Sequence, residues 1–458
     1  MFDLLIKNGT AVLFDITKKC DIGIIDGKIV SIGDSSTWTS AKRVIDAEGK
    51  IVVPGMLDSH AHIASPGAFP SIDNYQNGTI AAAYGGTTTI VDFAFVCDGE
   101  TPRIALNRKI RQARNNCYID YAFHSCINKA DAVSFEEISE LLDEGYSSVK
   151  MFTTYRNSLM LEAAGVYKVF QMIAAKGGIA MVHAEHAELI EYFTNLDIAA
   201  GKTSVRYHPQ SRPVITEVTA FAEVIEMARQ TGSPVLFAHM TTGKTNALLK
   251  NAKEDGLPIF TETCPHYLIL DESVYERTDG CKFVCNPPIR GKEDRDSLWE
   301  LVKNGTVSIV NSDHTDFSFA QKVANNSFYP GIPGGLPGIE CRGMMLFSEG
   351  VATGKISLER FVELTSTNIA KLMGLYPQKG TIQIGSDADI AIIDPTYRSV
   401  NHVRQMHMQT DYSPYENMTV IGAVTDTIVR GNIIIENGMF SGIEPIGVQL
   451  KRHCPELV

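Results

Sequence analysis

Six side chains of this 458-residue chain stand where short apolar runs end. They are His60 and His62 in GMLDSHAHI, Lys150 in SSVKMF, His183 in AMVHAEH, His239 in LFAHM and Asp313 in IVNSDH. Taken singly, each has an ordinary reading. Two histidines two residues apart on a strand project to one face, yet such a pair also arises by chance in a chain with 12 histidines. A lone strand-end histidine is usually a hydrogen-bonded structural residue, and an aspartate there can cap the next helix. A lysine inside an apolar strand can snorkel to the surface. As an ordered set they point to one chemistry. Neutral imidazoles and a carboxylate are ligands that zinc takes. Two metals need an anion between them, and a bare ammonium is a cation that is costly to bury. A lysine that has reacted with carbon dioxide is a carbamate, an anion able to bridge two cations.

The elements that would hold these groups alternate. Eight apolar runs, IVVPGML, TTTIVDFAF, IDYAFHSCI, SSVKMF, GIAMVHA, PVLFAHM, PIFTETC and VSIVNSD, are separated by stretches such as AAGVYKVFQMIAAKG and VTAFAEVIEMARQTG. In those stretches apolar residues recur at three- and four-residue spacing. Strand–helix alternation of this kind predicts an α/β fold, a (β/α)8 barrel, whose reacting groups sit at the C-terminal strand ends. A doubly wound open sheet is the alternative, and no GxGxxG follows the first run to support it. Both chain ends read differently. DIGIIDGKIVSIG and DTIVRGNIIIENG are β-branched runs broken by Gly, Asn and Asp. The expected organisation is therefore a small β-sandwich from residues 1–52 and 376–442, a barrel over 53–375 and a tail over 443–458.

Composition narrows the function classes. A formal net charge of -12 with no basic block argues against nucleic acid as a partner. No apolar stretch has membrane-spanning length, and MFDLLIKNGT is not a signal peptide. Nine scattered cysteines without a CxxC pair read as reduced thiols of a cytoplasmic protein.

The ordered ligand set, together with GMLDSHAH, AAAYGGTTTIVDF, SSVKMFTTY, VHAEH, ETCPHYLIL, CNPPIRGKEDRDSLWE, NSDHTDFS, GGLPGIECR and DYSPYEN, resembles the amidohydrolase superfamily. More narrowly, it resembles the dihydropyrimidinase and D-hydantoinase family, phenylhydantoinases included. These stretches run from residue 55 to 417, nearly the whole chain. The resemblance implies that His60, His62 and Asp313 bind the more buried metal and that His183 and His239 bind the second. Lys150 would bridge them as N6-carboxylysine. It implies two zinc ions per chain, with manganese as the alternative, and a homotetramer. Tyr155 takes the place of a substrate-contacting tyrosine. Asn286 matches the position whose backbone grips the ring amide, and Gly334 falls in the second backbone contact.

The implied reaction is hydrolytic opening of a hydantoin or dihydropyrimidine ring to an N-carbamoyl amino acid. Asp313 would carry the proton from water to the leaving nitrogen, and Tyr155 would steady the oxyanion. Loop residues Ile63, Phe69, Ile72, Leu159 and Met160 are expected to shape an apolar pocket for the ring's substituent. Two departures from the family pattern bear on that pocket: Ile63 and Ala64 after the second histidine, and Gly334-Gly335 before PGIE. A dihydroorotase has an arginine two residues after that histidine, where this chain has Ala64. Allantoinase shares the metal set and is the alternative activity. A non-enzymatic dihydropyrimidinase-related scaffold is the alternative from another class, and such scaffolds lack metal ligands that this chain keeps.

Overall fold

The eight runs become eight parallel strands of one curled sheet, in sequence order. They are β1 (Met56–Ala61), β2 (Thr87–Ala94), β3 (Asp120–Cys126), β4 (Ser148–Phe152), β5 (Ile179–His183), β6 (Val235–Phe237), β7 (Ile259–Thr263) and β8 (Ile309–Val310). The computed structural model describes residues 1–14, 16–38 and 40–457. The sheet closes where β8 runs on beside β1: Ala61 bridges His314 in parallel, and the His62 N–H donates to the His314 carbonyl at 2.8 Å. Every residue of β1 through β5 is buried. That double-sided burial is why these runs lack the apolar–polar alternation of a half-exposed strand.

Helices cover the outside of the barrel. In Ala163–Lys176 the buried positions Val166, Val169, Phe170 and Ile173 make the stripe expected of a helix packed on one face. Helix Pro102–Ala113 starts with proline behind the side-chain cap of Thr101. Helix Val214–Thr231 ends at Gly232, whose φ of +74° closes the last turn in the left-handed region. No helix among the described residues is long and apolar enough to cross a membrane.

The first run, IVVPGML, is not one strand. Ile51–Pro54 belongs to a different sheet, and the barrel strand begins only at Met56. Gly55 marks the break, because a Cβ there would collide with the Thr88 side chain. That second sheet has seven strands, drawn from both chain ends: Ile51–Pro54 pairs with Ile390–Val400 on one side and Thr10–Val12 on the other. A four-stranded sheet from the first 46 residues packs with it, through Leu4, Ile6, Ile22, Ile24, Val52, Ile390 and Ile392.

The last residues run back along the entry end of β3, where β3 pairs with β4 only at Ser125 and Cys126. Val448 accepts from the Tyr121 N–H, Leu450 donates to the Tyr121 carbonyl, and buried Arg452 donates to the Phe123 carbonyl at 2.6 Å. The tail thus supplies the backbone partners that β4 does not.

Candidate active site

The barrel brings the six candidate residues onto one rim. His60 is the fifth residue of β1, His62 lies just beyond its end, Lys150 is the third residue of β4, and His183 ends β5. His239 follows β6 by two residues and Asp313 follows β8 by three. Their rings form a continuous series: His62 to His60 5.2 Å, His60 to His239 5.4 Å, and His239 to His183 4.4 Å between centroids. Asp313 Oδ1 stands 2.9 Å from His60 Nε2 and 3.0 Å from His62 Nε2. Lys150 Nζ lies beneath, buried, 5.1 Å from the Phe93 ring and 5.0 Å from the Phe152 ring, with no hydrogen-bond partner among the described residues.

The set fits metal ions. Buried Lys150 Nζ, His62 Nδ1 and His239 Nδ1 have no hydrogen-bond partner among the described residues, and unpaired buried polar atoms are rare unless a ligand meets them. Burial depresses the pKa of His62, His183 and His239, which keeps them in the neutral form that binds a cation. Burial would raise the Asp313 carboxyl, yet His60 and His62 beside it hold it well below the usual range. Burial also pulls His60 down, but Glu262 and Asp313 outweigh it and set its pKa at about 9. The negative field at the His60 position is thus strong enough to retain a positive charge.

Two carboxylates that the sequence reading passed over orient the histidines. Glu262, on β7, accepts from His60 Nδ1 at 2.6 Å and from the His239 N–H at 3.1 Å. Asn311 donates to its other oxygen at 2.6 Å. Glu185 accepts from His183 Nε2 at 2.7 Å and pairs with Arg212 at 2.5 Å. Each carboxylate holds a proton on the ring nitrogen it faces, so that His60 Nε2, beside Asp313, and His183 Nδ1 are the nitrogens whose lone pairs could meet a cation. The signal was present: Glu262 is an acid in the apolar run PIFTETC, and Glu185 lies two residues after His183.

A cavity of about 940 Å³ opens above this rim and is lined by Tyr155, Asn286 and Gly334 as well as the six. Burial raises the Tyr155 phenol, so it stays protonated as a hydrogen-bond donor. A Cβ on Gly334 would meet Asn286 Nδ2 at 2.5 Å, so the Asn286 side chain packs directly over the Gly334 backbone. The apolar wall differs from expectation. Phe69 and Leu159 line the cavity, together with Phe95, Phe152 and Phe317. Ile63 does not, being packed in the core against Gly78, and Ile72 and Met160 do not line it either.

A second buried cluster, Asp73, His314 and Asp316, has metal-like spacing. Its histidine is committed otherwise. His314 Nδ1 accepts from the Gly338 N–H at 3.1 Å, so the neutral ring carries its proton on Nε2, facing Asp73 at 3.5 Å. A protonated nitrogen cannot ligate, and the cluster ties the loop after β1 to the loop after β8.

Residues 51–434 match the model of the amidohydrolase family. The chain is 38% identical over 455 residues to a D-hydantoinase of Geobacillus stearothermophilus, covering 98% of this chain and 96% of that one. It is 39% identical over 453 residues to a D-phenylhydantoinase of Escherichia coli O7:K1, covering 98% of both. The crystal structure of dihydropyrimidinase from Brevibacillus agri superposes with a TM-score of 0.96 at 39% identity, over 98% of this chain and 99% of that one. With the fold, the metal-compatible rim and these likenesses in agreement, the chain belongs to the amidohydrolase family, on its hydantoinase and dihydropyrimidinase branch.

Proposed function

We propose that this chain hydrolyses a cyclic amide, opening a hydantoin or dihydropyrimidine ring to an N-carbamoyl amino acid. One observation carries the reading. Four imidazoles, a buried amine with no hydrogen-bond partner among the described residues and a carboxylate converge under a cavity that presents Tyr155, Asn286 and Gly334. In this reading His60, His62 and Asp313 would hold the inner ion and His183 and His239 the outer one, with Lys150 bridging as N6-carboxylysine. The imidazole and carboxylate donors suit zinc, with manganese as the alternative. The ions, when bound, lower the pKa of water and polarise the ring carbonyl. The chain's own residues do the rest. Asp313 accepts the proton that water loses as its oxygen adds to the carbonyl carbon. It delivers that proton to the ring nitrogen as the carbon–nitrogen bond breaks. The Tyr155 hydroxyl donates to the carbonyl oxygen as charge develops there. Backbone groups of Asn286 and Gly334 orient the ring. The aromatic wall of Phe69, Phe95, Phe152 and Phe317 favours an apolar or aromatic substituent.

The same reading takes residues 1–52 and 376–442 as one small β-sandwich, 53–375 as the catalytic barrel and 443–458 as a tail. The sheet that joins both ends supports it. It also takes the protein as a cytoplasmic homotetramer. Nine unpaired cysteines fit a reducing compartment. Tyr192 and Leu196, exposed on one stripe of helix Ala187–Ala199, fit a self-association face. Sedimentation of the purified protein tests the tetramer. The decisive assay is ring opening of hydantoin, phenylhydantoin, dihydrouracil and allantoin by the metal-loaded protein. Turnover of the first three is expected. Turnover of allantoin alone would replace this activity with allantoinase, and no turnover together with no bound metal would return the chain to the scaffold class.

A further inference from the structure

Lys322 is fully buried, on the short helix Phe319–Val323 that follows β8. Among the described residues no carboxylate offsets its charge. Its Nζ donates instead to three backbone carbonyls, those of Val284, Pro333 and Gly335, each at 2.7 Å. Burial pulls its pKa down to about 7, and in the charged form the ammonium has three protons, one for each of these carbonyls. Taking such a group out of water is costly, and three charge-assisted hydrogen bonds offset that cost while fixing what they touch.

What they touch are the two segments that face the substrate cavity. On one, the carbonyls on either side of Gly334 are bound to the same nitrogen. Among the described residues the Gly334 carbonyl and N–H have no partner, and Gly334 lines the cavity. On the other, the Val284 carbonyl accepts from Lys322 and also from the Gly335 N–H at 3.0 Å, and the Cys285 carbonyl accepts from His208 at 2.9 Å. Among the described residues the Asn286 N–H and carbonyl have no backbone partner, and Asn286 too lines the cavity. Lys322 itself does not reach the cavity. It decides which carbonyls are used up behind the wall and which remain in front.

We propose that Lys322 is a positioning residue that clamps residues 284–286 against 333–335 and so sets the spacing of the Asn286 and Gly334 backbone groups that grip the ring. The inference rests on the ring-opening function proposed above. Its test compares the full-length, metal-loaded protein with Lys322→Met, which removes every donor, and Lys322→Gln, which keeps two. Ring opening of hydantoin and dihydrouracil is read as KM and kcat, metal content is measured, and hydrogen exchange follows the peptide around Gly335. Lys322→Met is expected to raise KM about tenfold with kcat within about threefold. Metal content should be unchanged and the Gly335 amide should exchange faster. Lys322→Gln should fall between, and it decides the matter if the Met variant does not fold. Unchanged KM in a folded variant, or a fall in kcat that tracks loss of metal, overturns the proposal. If the unaltered protein opens no ring, the function falls. Exchange then decides the clamp: faster exchange at Gly335 supports it, and unchanged protection removes it.

Discussion

Tyr155, His239 and Asp313 share a backbone feature that their side chains do not suggest. Each is a non-glycine residue in the left-handed region, with φ of +67°, +36° and +47°. Such positions are held by their surroundings at a cost in strain, and they cluster where a side chain must be aimed. For Tyr155 the aim is toward His183, at 5.2 Å between rings. Tyr155→Phe keeps the ring and removes the donor. It should lower kcat on the order of 100-fold with metal content unchanged, as loss of one oxyanion donor does; turnover equal to the unaltered protein would take Tyr155 out of the chemistry. Glu262 acts one step further back, through His60, His239 and Asn311. Glu262→Gln puts an amide where three donors converge. Metal affinity, read by chelator competition, should fall about 10- to 100-fold.

At the scale of elements, the turn Val205–Tyr207 and the helix His208–Ser211 press His208 against the segment carrying Asn286. Its Nε2 donates to the Cys285 carbonyl at 2.9 Å. Burial drives its pKa from 6.5 down to about 3, so the folded protein keeps this ring neutral. The unfolded chain takes up that proton first as pH falls below 6.5, and stability is lost progressively until about 3. Between pH 7 and pH 5 this one group should remove roughly 2 kcal/mol. His208→Asn keeps a donor and does not titrate. Denaturant midpoints at the two pH values should therefore differ less in the variant. An equal acid loss in both proteins would mean that His208 is not the sensor.

For the whole molecule, the joint between the barrel and the sheets built from the chain ends combines shared apolar packing with one buried ionic cluster. Lys379 Nζ sits 2.6 Å from Asp120 at the start of β3, 2.7 Å from Asp389 and 3.0 Å from Asp387, fully buried. Arg430 adds a second cation to Asp120 at 3.0 Å, and the Val448 N–H of the tail donates to the same carboxylate at 2.9 Å. Barrel, sheet and tail thus meet at one aspartate. Lys379→Met would leave three carboxylates facing one another and should cost about 3–5 kcal/mol. The denaturant midpoint reads that loss, while kcat/KM of the folded fraction should hold, since the cluster lies at the opposite end of β3 from the rim that carries the six candidate residues.

The eight strands, their order and the six rim residues were legible in the sequence because each rests on a local rule. Strand runs are short and apolar, helices have a 3.6-residue period, and a barrel presents reactive groups at strand ends. The family likeness added roles that no single residue carries. What only the tertiary structure decided are relations between residues far apart in the chain. Gly55 splits the first run because Thr88 stands behind it. Ile63 faces the core, and the cavity wall that Phe69 and Leu159 line as expected is completed by Phe95, Phe152 and Phe317 from other segments. Glu262 becomes a partner of His60 across 202 positions, and Lys322 a partner of Val284 across 38. Periodicity reports how a residue relates to its own strand or helix. Which distant carbonyl or ring completes its hydrogen bonds is set by packing, and packing exists only once the barrel has closed.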